Sequence, residues 1–157
     1  MKRLFLGLVC IMFLTLTSEA QFWKRKLNQL DQNKKKTGVW KNYWDDKGKK
    51  KMYKYHYKDG KEVKVAKVYH PNGKRSNKFR YYKNDIVKVK YYDENGKLTQ
   101  KGWARMEFNE KEIRYYYHGL WKFYLPNRKL DKSTFYLDGE LMKTKDHEKN
   151  KGHSKNK

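Results

Sequence analysis

The sequence predicts an all-β chain, an antiparallel meander of repeated β-hairpins. Three observations carry that expectation. Aromatic or β-branched residues alternate strictly with lysine, as in Tyr53-Lys54-Tyr55-His56-Tyr57-Lys58, Val63-Lys64-Val65 and Val87-Lys88-Val89-Lys90-Tyr91, and a period of two is the signature of a strand. Turn signals separate these runs at a step of about a dozen residues. The turns themselves recur at a fixed spacing, with 25 residues from Tyr57 to Tyr82 and 25 from Gly48 to Gly73. That regularity marks an array of two-stranded units.

The expected turns are Asp45-Asp46-Lys47-Gly48, Lys58-Asp59-Gly60, Pro71-Asn72-Gly73, Lys83-Asn84-Asp85, Glu94-Asn95-Gly96, Asn109-Glu110, His118-Gly119, Pro126-Asn127-Arg128 and Asp138-Gly139. Asn-Gly and Asp-Gly supply the positive φ that tight hairpins need. Two kinds alternate. A long form, aromatic-x-x-Asn-Gly-Lys, spans Tyr69 to Lys74 and Tyr92 to Lys97; a short form, Tyr-Lys-Asp-Gly or a variant, spans Tyr57 to Gly60, Tyr82 to Asp85 and Tyr136 to Gly139. Asn84-Asp85 and Asn127-Arg128 lack the glycine, and the spacing over 97–119 is irregular, which predicts a bulged or less well ordered unit there. The alternation makes one face of the sheet aromatic and the other cationic.

The ends differ from this body. Lys2 and Arg3, the apolar run from Leu4 to Leu16, and Ser18-Glu19-Ala20 before Gln21 form the three-part layout of a secretory signal peptide, cleaved between Ala20 and Gln21. Residues 1–20 are therefore read as signal, and the protein as secreted, periplasmic or held at the cell envelope. The run is short for a spanning helix. Cleavage removes Cys10, the single cysteine, so no disulfide or thiolate ligand remains. Residues 21–37 read as a basic leader and linker, with Phe22, Trp23, Leu27 and Leu30 spaced for a turn or two of amphipathic helix. Residues 38–142 form the repeat domain, and residues 143–157, rich in lysine, read as a disordered tail.

Gly38-Val39-Trp40-Lys41-Asn42-Tyr43 matches Gly119-Leu120-Trp121-Lys122-Phe123-Tyr124, with Gly102-Trp103 to Phe108 a looser copy. With Asn-Gly-Lys and Tyr-x-x-Gly following, the body resembles the MORN-variant repeat proteins of bacteria, a family that carries a YwqK-like antitoxin label. The resemblance covers about 105 residues and neither terminus. It implies an elongated, curved, largely single-layer sheet and no catalytic site.

A single layer cannot bury both faces, and isolated hairpins are marginal in water. The expected stabiliser is a ladder of cross-strand aromatic pairs, each contributing roughly 0.2–1 kcal/mol. The chain holds 14 tyrosines and five tryptophans for it. No catalytic or metal-binding pattern stands out. His56, His70, His118, His147 and His153 lack a metal spacing. Ser76, Ser133 and Ser154 lie outside any nucleophile elbow. The turn carboxylates are explained by local bonds to backbone. The expectation is a non-enzyme without cofactor.

The charge points to partners. The formal net charge is +23, with 40 basic against 17 acidic residues; such a surface attracts polyanions. The expected function is a binding or scaffold module at the envelope, for a protein or an anionic polymer or lipid. An antitoxin or immunity-like role, or binding to extracellular nucleic acid, is the alternative. Rings interleaved with lysines suit such a surface. The candidate contacts are Tyr55, Tyr57, Tyr81, Tyr91, Tyr115 and Tyr117, with Lys54, Lys88 and Lys90 for charge. Register decides which face they occupy, since a one-residue slip exchanges the faces.

Overall fold

A computed structural model describes residues 26–108 and 112–147. The apolar run, the cleavage site at Ala20–Gln21, Phe22, Trp23 and the turn expected at Asn109-Glu110 lie outside the described residues. Within them the chain is all-β. Eleven antiparallel strands form one open sheet: β1 (Gln29–Leu30), β2 (Lys36–Tyr43), β3 (Lys51–Lys58), β4 (Lys61–Glu62), β5 (Val65–Tyr69), β6 (Arg75–Tyr81), β7 (Ile86–Tyr92), β8 (Leu98–Phe108), β9 (Ile113–Tyr124), β10 (Leu130–Leu137) and β11 (Glu140–Asp146). Spatial order follows chain order, except that the short β4 pairs with β3 to one side of the path.

The two kinds of turn fall on opposite edges of the sheet. The short ones place two successive residues at positive φ: Asp59 and Gly60, Asn84 and Asp85, Asp138 and Gly139. That backbone suits the right-handed twist of the flanking strands. The long ones repeat one five-residue geometry. In the β5–β6 turn the His70 N–H donates to the Lys74 carbonyl and the Gly73 N–H to the His70 carbonyl, both at 2.8 Å. The same pair of bonds closes Asp93–Lys97 and Leu125–Lys129. The residue at positive φ is Gly73, Gly96 or Arg128 respectively, so Arg128 takes the glycine's backbone without being one. Neighbouring turns are linked: Trp44 Nε1–H, in the β2–β3 turn, donates to the Tyr69 carbonyl (3.1 Å), His70 Nε2–H to the Tyr92 carbonyl (3.0 Å), and Asn72 Nδ2–H to the Glu94 carbonyl (2.7 Å).

Four expectations change. Leu27 and Leu30 do not lie on a helix. Leu27 bridges to Val39 and Leu30 pairs with Lys36, because Asp31 folds the leader back through a turn in which its carboxylate accepts the N–H groups of Asn33 and Lys35. The sheet therefore begins before residue 38. It also runs past residue 142, since Lys143, Thr144, Lys145 and Asp146 pair with Phe135, Thr134, Ser133 and Lys132; unpaired backbone on β10 supplies the template that lysine-rich sequence alone does not reveal. His118-Gly119 is not a turn. β9 runs through it, and Gly119 at φ +70 is a bulge, opposite a register shift between Lys101 and Trp103. Residues 97–119 thus hold the bulge that their spacing predicts. Val63-Lys64-Val65 is likewise no continuous strand, because Lys64 sits at φ +62 between β4 and β5.

The core lies on the aromatic face. Val87, Val89, Ala104 and Trp121 are fully buried, with Phe79, Tyr81, Tyr91, Met106, Tyr117, Phe123 and Tyr136 packed against them. All described strands belong to one sheet, so rings serve as the second layer. Small residues make this work. Gly102 sits beneath the indole of Trp121, where an added Cβ would come within 2.2 Å of ring carbon Cδ2. The indole N–H donates to the Trp103 carbonyl at 2.6 Å, and Tyr117 stacks on the ring at 3.7 Å and 13°.

Candidate functional site

Register decides what each face can do. Tyr55 pairs with Trp40, Tyr81 with Val87, Tyr91 with Gln100, and Tyr115 and Tyr117 with Met106 and Ala104. Tyr55, Tyr57, Tyr81, Tyr91, Tyr115 and Tyr117 therefore share the aromatic face with the core. They make ring contacts there: Tyr55–Tyr57 at 6.0 Å, Phe79–Tyr91 at 6.3 Å, Tyr91–Trp121 at 6.2 Å and Tyr115–Tyr117 at 6.4 Å. Tyr91 and Tyr115 share a hydroxyl–hydroxyl bond of 3.1 Å. Burial raises the hydroxyl pKa of Tyr55, Tyr57, Tyr81 and Tyr115, and pushes Tyr117 up to about 12. Glu62, opposite Tyr57 in β4, adds a negative charge beside Tyr55, Tyr57 and Tyr81. The face that carries the candidate tyrosines is thus structural and holds a carboxylate.

Lys54, Lys88 and Lys90 lie on the other face. The structure places these three on one face, with Lys54 three strands away from Lys90, and separates them from all six tyrosines. The opposite sides follow from parity, because Lys54 is one residue from Tyr55 on one strand and Lys90 one residue from Tyr91 on another.

On that second face the register creates a pattern that reading along the sequence misses. Lys41 pairs with Lys54, Lys54 with Lys67, Lys67 with Lys78, Lys78 with Lys90, Lys90 with Lys101, and Lys101 with Lys122. Seven lysines on β2, β3, β5, β6, β7, β8 and β9 stand directly across from one another in one row. At roughly 4.8 Å per strand the row spans about 29 Å. All seven are half-buried, in keeping with lysine stems that cover sheet surface. Like charges placed directly opposite oppose pairing, so this arrangement is not explained by sheet stability. The signal was in the sequence, but the bulges at Tyr43, Tyr69 and Tyr92 reset the count between turns and hide the alignment.

A second row runs alongside, in which Arg80 pairs with Lys88 and Lys88 with Trp103. Lys78, Arg80, Lys88 and Lys90, with Tyr82, line a concavity of about 210 Å³ between β6 and β7. Lys88 Nζ lies over the Trp103 ring at 5.0 Å, and Tyr82 tilts against Trp103 at 5.6 Å. Lys78 loses proton affinity through burial, then through Arg75, Arg80, Lys90 and Lys67. The acidic side chain Glu107 sits on this face toward the end of β8, beside Arg105 at 4.0 Å.

The histidines have other partners. His56 Nδ1–H donates to the Val65 carbonyl (3.0 Å), and His118 Nδ1 meets Asp138 Oδ1 at 3.1 Å. Ser133 Oγ and His147 Nε2 meet at 3.0 Å on the surface of the β10–β11 hairpin, a pairing that sequence spacing did not reveal. Among the described residues no group of three His, Cys, Asp or Glu side chains gathers as a metal site, and no helix is long and apolar enough to cross a membrane. In comparisons with known proteins, no family model, no curated protein and no solved structure matches the chain.

Proposed function

We propose that this chain is a non-catalytic, exported binding module of the MORN-variant kind, and that its lysine face holds an anionic partner at the cell envelope. The observation that carries the reading is the row from Lys41 to Lys122. A row of cations that opposes its own sheet is accounted for by a ligand that neutralises it. An extended polyanion lying across the strands would meet a lysine at every strand, and each ammonium near an anionic surface contributes about 1 kcal/mol. The aromatic face supplies rigidity and keeps the row in register. The candidate tyrosines then act through folding, and Lys54, Lys88 and Lys90 act through contact.

The test is a salt titration of the purified full chain on immobilised acidic polysaccharide, anionic lipid vesicles and single-stranded DNA. Binding that falls with salt and is weakened by Lys67→Gln with Lys101→Gln, while Tyr55→Phe with Tyr57→Phe binds normally, supports the reading. Binding that ignores the lysine changes, or follows the tyrosines, contradicts it.

A further inference from the structure

The row is uniform along its length except at one place. Between β6 and β7 the second row comes alongside, so that Lys78 opposite Lys90 and Arg80 opposite Lys88 form a rectangle of four cations. These four and Tyr82 line the concavity of about 210 Å³, with no carboxylate among the lining residues. Elsewhere on this face a carboxylate does sit beside a cation, Glu107 at 4.0 Å from Arg105. The rectangle has depth, a guanidinium and three ammonium groups in one place.

From this we propose that Lys78, Arg80, Lys88 and Lys90 form a seat for a phosphate monoester group, with Tyr82 at its rim. The proposal rests on the polyanion reading and names the group gripped most tightly. A carboxylate is planar and singly charged, and one guanidinium fork satisfies it. A phosphate monoester carries about −1.5 to −2 charges at neutral pH and three strong acceptor oxygens. Four cations around one opening match that charge and that number of acceptors. Arg80 offers a planar fork to two oxygens, and the lysines act as point charges. The Trp103 ring face holds the Lys88 ammonium at 5.0 Å, beside the opening that Lys88 helps line. Burial first, and then the neighbouring charges of Arg75, Arg80, Lys90 and Lys67, lower the proton affinity of Lys78.

The test is calorimetric binding of glucose 6-phosphate, inorganic phosphate, sulfate and acetate to the full chain, with dextran sulfate as the polyanion control. The variants are Arg80→Gln with Lys90→Gln, and the charge-matched pair Lys47→Gln with Lys129→Gln, exposed turn lysines outside the row. The expected result is saturable binding of glucose 6-phosphate in preference to sulfate and acetate. Affinity should fall about a hundredfold in the first variant, about tenfold for each charge-assisted bond removed, and change little in the second. Comparable binding of inorganic phosphate supports the same seat, since the dianion is the shared chemistry; tighter binding of the sugar phosphate assigns it to an esterified group on a larger ligand. Equal losses in both variants, or no preference over sulfate and acetate, overturn the seat. If dextran sulfate still binds in that case, the polyanion reading survives and the seat alone fails. If dextran sulfate does not bind either, both fail.

Discussion

The indole of Trp121 lies flat over Gly102, close enough that a single added methyl at residue 102 would stand 2.2 Å from the ring. The Gly119 bulge in β9 brings Trp121 to that place, and the bond from its N–H to the Trp103 carbonyl at 2.6 Å holds it there. Among the described residues no second layer faces the sheet, so the largest ring is covered by its own neighbours. Tyr117, Tyr91 and Phe123 do this. Gly102→Ala should therefore lower stability by about 1–3 kcal/mol, the usual cost of overpacking a close-fitting site. Urea unfolding of the two chains measures it, and an unchanged midpoint would show that the indole shifts freely.

Arg128 occupies the left-handed position that Gly73 and Gly96 fill in the sister turns. A side chain there costs about 1–2 kcal/mol, offset in part by the roughly 0.5–1 kcal/mol of extra unfolded-chain entropy that glycine brings. Arg128→Gly should raise stability by about 0.5–1 kcal/mol. Gly73→Ala should lower it by a similar amount, with φ +82 and no atom within 4 Å of the new Cβ. Opposite shifts in thermal midpoint would confirm that backbone strain alone is responsible.

The tyrosines packed on the aromatic face predict alkaline sensitivity. Tyr55, Tyr57, Tyr81, Tyr115 and Tyr117 all have raised pKa values in the fold, Tyr117 to about 12. Their ordinary value is near 10, so above that pH the unfolded chain loses protons that the folded chain retains. Stability contributed by these groups is complete below about pH 10 and declines as pH rises toward the folded values. Phenolate absorbance should appear late and together with loss of β-sheet circular dichroism. Early titration of all tyrosines with the sheet intact would contradict the raised values.

The lysine row predicts the opposite of ordinary salt behaviour. Seven like charges in direct register oppose the sheet, and salt screens them over about 8 Å at physiological strength. Added sodium chloride should raise the thermal midpoint, and Lys78→Gln should be stabilising at low salt by a few tenths of a kcal/mol. The advantage of the variant should vanish in high salt.

Much of this was legible in the residues. The alternation at Tyr53 to Lys58 marks strands with one aromatic and one cationic face, and the two turn forms fall on opposite edges. The binding set was less legible. Parity alone separates Lys54 from Tyr55, yet nucleic-acid sites mix rings and lysines, which argues for combining them. The row required register across seven strands, and register depends on bulges at Tyr43, Tyr69 and Tyr92 that no single residue announces. The paired segments at Leu27 to Leu30 and Lys143 to Asp146 were also hidden, because edge strands draw their order from a neighbour rather than from their own composition.

If the row, and not the overall charge, binds the anion, the salt dependence of dextran sulfate binding should reveal it in three full-length chains. These are the parent, a row variant (Lys67→Gln, Lys78→Gln, Lys101→Gln) and a turn variant of equal net charge (Lys47→Gln, Lys83→Gln, Lys129→Gln). The slope of log affinity against log salt counts the charges that release counterions. The slope should fall by about two to three in the row variant, close to one for each lysine removed from the ligand's path, and stay unchanged in the turn variant. Equal reductions in both would mean that binding follows net charge alone and that the row has no special part in it.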